Sequence, residues 1–260
     1  MSANHPEMHT DASRKVDIIC QAAQIVLENG GETYRVEETA QRMAQGLGMD
    51  HLSIAAFPTS IFIEAEERAR VRRISRRGTN LSRLTLVNDV SRRVARGETD
   101  ADTAEAELKQ IGELPGPTLR TEVLAWGLAA GSFSLLFGGG AGTFAMAFTI
   151  GMVVQLMQPL FSDMEMGVLF GNFFGGVLTA ILAEVMGAVI PYGDVNATII
   201  GGIMPLLSGL LVTNAVRDTM YGDLISGMTR ALEALLLAAF TALGVYVGLS
   251  LAAMMGGLVL

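Results

Sequence analysis

Residues 123–162 read VLAWGLAAGSFSLLFGGGAGTFAMAFTIGMVVQLMQPLFS, 40 consecutive residues without Asp, Glu, Lys or Arg. A bilayer core about 30 Å thick is crossed by roughly 20 helical residues, so this run is long enough for two crossings. Gly138, Gly139 and Gly140 interrupt it where a turn is required. The reading is two helices, near 121–138 and 141–160.

Further runs of the same kind follow. Met166 to Ala183 is free of charge and continues past Glu184 to Ile190, where Pro191, Gly193 and Asp194 supply turn chemistry, giving a third helix over 166–190. Val195 to Val216 predicts a fourth, near 196–216, and the stretch after a polar loop from Arg217 to Arg230 a fifth, near 231–258. Five spans place the two termini on opposite sides of the membrane.

The other half of the chain is of a different composition. Of 260 residues with a net charge of −8, residues 1–120 carry 16 of the 18 basic and 18 of the 26 acidic groups; residues 121–260 carry only Arg217 and Arg230 against eight carboxylates. Such a break excludes a single soluble domain. It predicts an α-helical integral membrane domain of five transmembrane helices over 119–260, preceded by a small α+β cytoplasmic domain over 1–118. The acidic balance argues against nucleic acid as a partner. One cysteine, Cys20, makes no internal disulfide, and His5, His9 and His51 are too scattered for a metal site, so no metal or cofactor is expected. Basic residues stay cytoplasmic in short loops. With residues 1–118 inside, the Arg217–Arg230 loop also falls inside, whereas the turns near Gly139 and Pro191 and the C-terminus fall outside. The loop around Asp163 and Glu165 falls inside and carries no basic residue.

Within the polar half, apolar spacing predicts a helix from Asp11 to Glu28, closed by Asn29, Gly30 and Gly31. A second runs from Tyr34 to Leu47, with Thr33 as its cap. The segment LSIAAFPTSIFIEAEERARVRRIS from Leu52 predicts two or three antiparallel strands broken at Pro58 and Thr59. Helical spacing returns over Asn80–Ala95 and Thr103–Ile111, and Pro115, Gly116 and Pro117 separate this domain from the membrane. The basic cluster Arg68, Arg70, Arg72, Arg73, Arg76 and Arg77 has two readings: cross-strand pairing with Glu64, Glu66 and Glu67, or a basic face toward anionic lipid or acidic substrate.

Polar groups inside hydrocarbon default to a transport pathway. Glu184 either takes up a proton or pairs with a substrate ammonium, or it reaches the outer interface or a partner in the bundle. Pro205 removes an amide hydrogen and frees a carbonyl near Gly201, and Ser208 and Gly209 keep the backbone accessible, which reads either as one of the broken helices that line transporter sites or as a plain kink that only aids packing. Thr213 with Arg217, and Asn214 with Asp218, share helix faces at spacing four, so Arg217 is placed to attract a carboxylate and Asp218 an ammonium. The amides Gln155, Gln158 and Asn172 serve to join helices. Gly171, Gly175 and Thr179, and Gly244, Gly248, Ala252 and Gly256, form small-residue faces assigned to a partner or homo-oligomer interface.

Four strings go further: ENGGETYRVEETAQRMAQGLG from Glu28, FPTSIF from Phe57, RRGTNLSRL from Arg76, and IIGGIMPLLSGLLVTNAVRDTMYGDLISGMTRALEALL from Ile199. Together they resemble the threonine/serine exporter (ThrE) family, in its five-helix large subunit of the YjjP type, over nearly the whole chain. The resemblance implies an inner-membrane exporter of small polar metabolites, threonine and serine or a C4-dicarboxylate such as succinate. It also implies a two-component secondary transporter whose second block is a small membrane subunit of the YjjB type, with a higher oligomer as a further form. It singles out Gly31, Glu32, Tyr34, Arg35, Glu38 and Asn80 as a cytoplasmic motif, in which Tyr34, Arg35 and Glu38 form a gate or vestibule. The alternatives are a membrane-anchored cytoplasmic hydrolase or sensor and a passive channel or scaffold. The hydrolase has no nucleophile elbow or Ser/His/Asp set in this sequence to support it.

Overall fold

The computed structural model describes residues 5–49, 51–65, 68–75, 78–162, 167–190 and 192–256. Glu66, Glu67, Arg76, Arg77, Asp163, Glu165 and Pro191, and the side chains of His5, His9, Arg68 and Gly256, lie outside the described residues. Contacts divide the chain into two compact units, one of Met1–Gly116 with Leu210–Ala231, the other of Pro117–Gly209 with Leu232–Leu260.

The first unit is built around α1 (His5–Glu28), which is buried on nearly every side from Val16 onward. That is why its apolar residues, Val16, Ile18, Ile19, Ala22, Ala23, Ile25, Val26 and Leu27, do not confine themselves to one stripe. Helix α2 (Thr33–Gly46) lays Val36, Ala40, Met43 and Ala44 on the same core. An antiparallel meander follows, β1 (Leu52–Phe57), β2 (Ser60–Ala65) and β3 (Arg68–Arg73), in the order β1-β2-β3. Its first hairpin turns at Pro58 and Thr59, where Phe57 faces Ser60. Ile61, Ile63 and Ala65 point into the core, whereas Phe62 and Glu64 between them are exposed, the period-two signature of a sheet with one dry face. Helices α3 (Leu81–Ala95) and α4 (Ala101–Glu113) close this unit, capped by Asn80 and Asp100 through the amides of Arg83 and Thr103.

Among the described residues, two arginines of the basic strand find their partner outside the sheet. Glu64 faces Ala69 in the register, and Arg70 and Arg72 turn to Asp17 on α1, at 3.7 and 3.5 Å, with Arg70 also donating to Ser13. Sheet register, not sequence proximity, chose the partner.

The second unit contains α5 (Leu119–Leu136), α6 (Ala141–Ser162), α7 (Gly167–Val189), α8 (Val195–Ile203) and most of α10 (Leu224–Gly256). A 3-10 turn, Met204–Leu206, leads from α8 toward α9 (Gly209–Met220). Among the described residues three helices are long and apolar enough to cross a membrane, within Ala141–Leu160, Gly167–Val189 and Leu224–Met254; a fourth crossing is obtained if Val195–Leu206 and Gly209–Met220, bent by 56°, count as one. The five expected helices therefore reduce to three or four by that measure. The region expected as 121–138 is helical as α5, but its first turn carries Arg120 and Glu122. Exposed Leu124, Leu128, Leu156, Leu160, Val168, Phe170, Leu243 and Leu251 give this unit an apolar exterior of the kind lipid covers.

Two sequence expectations change here. The polar loop from Arg217 to Arg230 shrinks to Tyr221–Asp223, because α9 continues to Met220 and α10 starts at Leu224. The glycine faces work inside the chain. A Cβ on Gly244 would stand 2.1 Å from the Phe173 carbonyl oxygen, and one on Gly248 would stand 2.6 Å from that of Val177, so α7 and α10 touch backbone to backbone. A Cβ on Gly175 would stand 3.0 Å from Leu206 Cδ1.

The break between α8 and α9 is held by Asn172. Its buried amide on α7 donates to the Leu206 carbonyl at 3.0 Å and to Thr241 Oγ1 at 3.1 Å. Gly201 packs its α-carbon face on Ala130 and Ser134 of α5, where a Cβ would stand 2.6 Å from the Ala130 carbonyl oxygen.

Candidate functional site

The chain between α1 and α2 is a Glu28–Gly31 turn with four carbonyls, and each finds a partner far away in sequence. The Glu28 oxygen accepts from the Gly78 amide at 2.8 Å and that of Asn29 from the Asn80 amide at 3.2 Å. Gly30 receives Asn214 Nδ2 at 2.9 Å, and Gly31 receives Arg230 Nη2 at 2.9 Å. Gly30 has φ +92°, a region open to glycine, and a Cβ on Gly31 would stand 2.5 Å from Val26 Cγ1, so both glycines are needed for the turn.

The same turn delivers the N-terminus of α2 to α9. Thr33 is the first helical residue instead of the cap: Glu32 occupies the capping position without a side-chain bond, and the Thr33 amide donates to Asp218 Oδ1 at 3.1 Å. The orphan amide of a helix start is thus met by a carboxylate 185 positions downstream. Arg230 Nε lies 3.1 Å from the other oxygen of Asp218, and both side chains are buried, at 6% and 0% exposure. Glu32, also buried, accepts from Arg217 Nη1 and pairs with Arg35 Nε at 3.1 Å. Tyr34 stacks on Tyr221 with ring centroids 4.0 Å apart, and the Arg35 guanidinium sits 5.7 Å from the centroid of the Tyr34 ring.

Of the residues expected from sequence, the structure therefore brings together Gly31, Glu32, Tyr34, Arg35, Asn214, Arg217 and Asp218. Asn80 supports the same turn through its amide while its side chain caps α3. Glu38 pairs with Arg42, one turn along α2. Thr213 and Arg217 are exposed on α9 while Asn214 and Asp218 face inward, so the two spacing-four pairs do lie on separate faces. Pro205, in the 3-10 turn, and exposed Ser208 and Gly209 mark the break of the bent helix, and Glu184 is exposed on α7; all four belong to the second unit.

Arg230 and Tyr221 were missed. One signal existed for Arg230: it is one of two basic residues after position 120, and a charge that rare in an apolar half is placed for a partner.

Glu37 lies in the second turn of α2, beyond the first-turn position where a helix dipole would account for it, and its Oε1 accepts from the Ala56 amide of β1 at 2.9 Å. Burial pushes its carboxyl above the usual range; the Ala56 bond offsets part of this, and the carboxylates of Asp223 and Asp218 add to it. The folded chain therefore holds this proton more tightly than the unfolded chain. Stability from this group is present below its unfolded value and falls as pH rises through its folded one. Glu37→Gln, which keeps an acceptor for Ala56, should flatten that part of the profile in thermal unfolding as pH rises above the ordinary glutamate value. A profile unchanged by the substitution would remove Glu37 as its source.

The profile of the ThrE, threonine/serine exporter, family matches residues 17–252. The chain belongs to the threonine/serine exporter family. Among the family's proteins, it is 27% identical over 253 residues to a "Probable threonine/serine exporter" of Mycobacterium tuberculosis, covering 94% of this chain and 47% of the relative. It is 24% identical to the "Threonine/serine exporter" of Corynebacterium glutamicum, covering 94% of this chain and 52% of the relative. The chain thus spans about half the length of these two relatives. It is 27% identical to a "Probable succinate transporter subunit YjjP" of Klebsiella aerogenes, covering 94% of this chain and 97% of that one. No solved structure matches. The family match runs through both the Gly30–Glu38 turn and the α9–α10 hairpin, the two segments that build the network.

Proposed function

We propose that the chain is the large subunit of a secondary exporter that moves small polar metabolites, threonine and serine or a C4-dicarboxylate such as succinate, out of the cell. The observation that carries this reading is the α9–α10 network. It gathers Asp218 with Arg230, and Glu32 with Arg217 and Arg35, at the end of a bent apolar helix pair, and so offers both signs of charge to a zwitterion or a carboxylate. An anchor needs neither. The relative matched nearly end to end is named a subunit, which supports an obligate partner, a small membrane protein of the YjjB type.

On this reading α5 is the fifth crossing. Its Val123, Gly127, Ala130, Gly131 and Ser134 are buried while Leu124, Leu128, Leu135 and Leu136 face out, as on a helix with protein on one side and lipid on the other. Residues 1–118, with the Leu210–Ala231 part of the same compact unit, then lie on the cytoplasmic side, the rest of 119–260 in the inner membrane, and the C-terminus outside. The turn at Tyr221–Asp223, with Arg217 and Arg230 beside it, falls on the cytoplasmic side as the basic-residue rule requires. Arg217, exposed on α9, binds the substrate's carboxylate at the inner mouth, buried Asp218 and Asn214 hold α9 to the Gly30–Thr33 turn, and Pro205, Ser208, Gly209 and Thr213 line the route onward. Glu184 carries the coupling proton, and Gly31, Glu32, Tyr34, Arg35, Glu38 and Asn80 form the vestibule.

Reconstitution of this chain with its small partner in liposomes tests the reading. Labelled threonine, serine or succinate should leave only when both subunits are present, and Arg217→Gln should slow that efflux by about tenfold, the worth of one charge-assisted contact. A stable complex that moves none of the three would overturn it.

A further inference from the structure

We infer that the outer face of the α9–α10 hairpin is a lipid-docking surface, which lies at the boundary between phospholipid headgroups and acyl chains and holds the first unit to the membrane. Val212, Val216 and Met220 on α9, and Ile225, Met228 and Leu232 on α10, are all more than half exposed. At about 100° per residue, each set falls within about 80° of its helix circumference. Asn214 with Asp218, and Ser226 with Arg230, fall on the opposite side and are buried.

This order is the reverse of the one water imposes. A helix on a water-exposed surface buries its apolar stripe and turns polar groups outward, as α2 of the same unit does with Val36, Ala40 and Met43 buried and Arg35, Glu38 and Gln41 exposed. The hairpin instead spends its polar side chains inward, Asn214 and Arg230 donating to the Gly30 and Gly31 carbonyls, and presents its apolar ones to the surroundings. Length identifies those surroundings as lipid. The apolar stretch of α10, Leu224–Met254, has 31 residues. At 1.5 Å per residue it is about 46 Å long, more than the hydrocarbon core of about 30 Å and close to the 40–45 Å or so of a bilayer with its headgroups. The first turns of α10 therefore reach headgroup depth on the same unbroken helix that crosses the core, and its exposed apolar row runs on through Leu235 and Leu243. Tyr221 at the turn and Arg217 beside the stripe, both exposed, are residue types of the membrane–water interface. Residues 217–230, which charge alone reads as a polar loop, thus join that interface.

Spin labels test this in the full chain reconstituted in phosphatidylcholine liposomes, alone and with the small membrane partner. Val216→Cys, Met220→Cys, Ile225→Cys and Met228→Cys are labelled singly; Cys20 is buried and stays, and the unsubstituted chain checks that it takes no label. Lys109→Cys, at an exposed position of α4, sets the value for water, and Leu243→Cys, within the apolar stretch of α10, the value for lipid. The ratio of collisions with oxygen to collisions with a water-soluble nickel chelate should be about tenfold higher at the four positions than at Lys109, approaching that at Leu243, with and without the partner. A ratio equal to that at Lys109 would show that water meets the face. Loss of both kinds of collision would show that protein covers it, a second copy if the chain is alone and the small partner if the loss comes only on mixing. Either result overturns the inference. Should one substitution alter the helical circular dichroism, the other positions carry the test. Since no transport is read, failure of the exporter reading would leave this result standing.

Discussion

Arg230→Met is expected to destabilise the first unit by about 3–5 kcal/mol, because it strips a buried carboxylate of its counter-charge while leaving the carboxylate in place. Asp218 has no exposed surface to which it could turn, and the Gly31 carbonyl loses its donor in the same substitution. Thermal unfolding of the full chain in detergent measures the loss. The double variant Asp218→Asn with Arg230→Met should recover a substantial part of it, since no uncompensated charge then remains buried. A double variant as unstable as Arg230→Met alone would mean that the ion pair is not what holds α9 and α10 to the Gly30–Thr33 turn.

Gly244→Val should be nearly as severe in the second unit. Its first side-chain atom would stand 2.1 Å from the carbonyl oxygen of Phe173, a contact that no rotamer relieves because both sides are backbone. Overpacking of this kind costs about 1–3 kcal/mol where side chains can shift, and more is expected where two helices must separate. Valine at Gly116, where nothing stands within 4 Å of an added Cβ, serves as the control expected to be tolerated. Equal yield and melting temperature for Gly244→Val and the unaltered chain would show that α7 and α10 do not rely on this contact.

The architecture was legible because composition changes so sharply at about residue 120 and because Gly, Pro and Asn mark the ends of most elements. Element type followed from periodicity over Leu52–Arg73 and over α2, α3 and α4. What periodicity could not convey was partnership. Thr33 reads as a cap because threonine before a helix commonly is one, yet its amide is served by Asp218, a choice made by folding across 185 positions. The arginines of β3 read as partners of nearby glutamates, and the register sent two of them to Asp17 instead. Arg217 to Arg230 reads as a loop because charged residues cluster there, although inward-facing Asn214, Asp218, Ser226 and Arg230 at spacing four are also the pattern of two helices sharing a polar seam. The pairing of Asn214 and Asp218 on one face was recoverable; their attachment to Gly30 and Thr33 was not, since nothing local links segments so far apart.

The Glu28–Gly31 turn sets a timetable for the newly made chain. Its first two carbonyls are met as soon as residues 78–80 have emerged, but those of Gly30 and Gly31 wait for Asn214 and Arg230, 184 and 199 positions behind them. Until α9 leaves the ribosome the start of α2 stays uncapped in water, and until α10 begins to follow it the Gly31 carbonyl is unmet and the most connected turn of the polar half unfinished. A copy whose last two helices insert wrongly never completes that turn, so the N-terminal segment reports, by its own local opening and exposure to proteases, whether the membrane helices made after it have found their place.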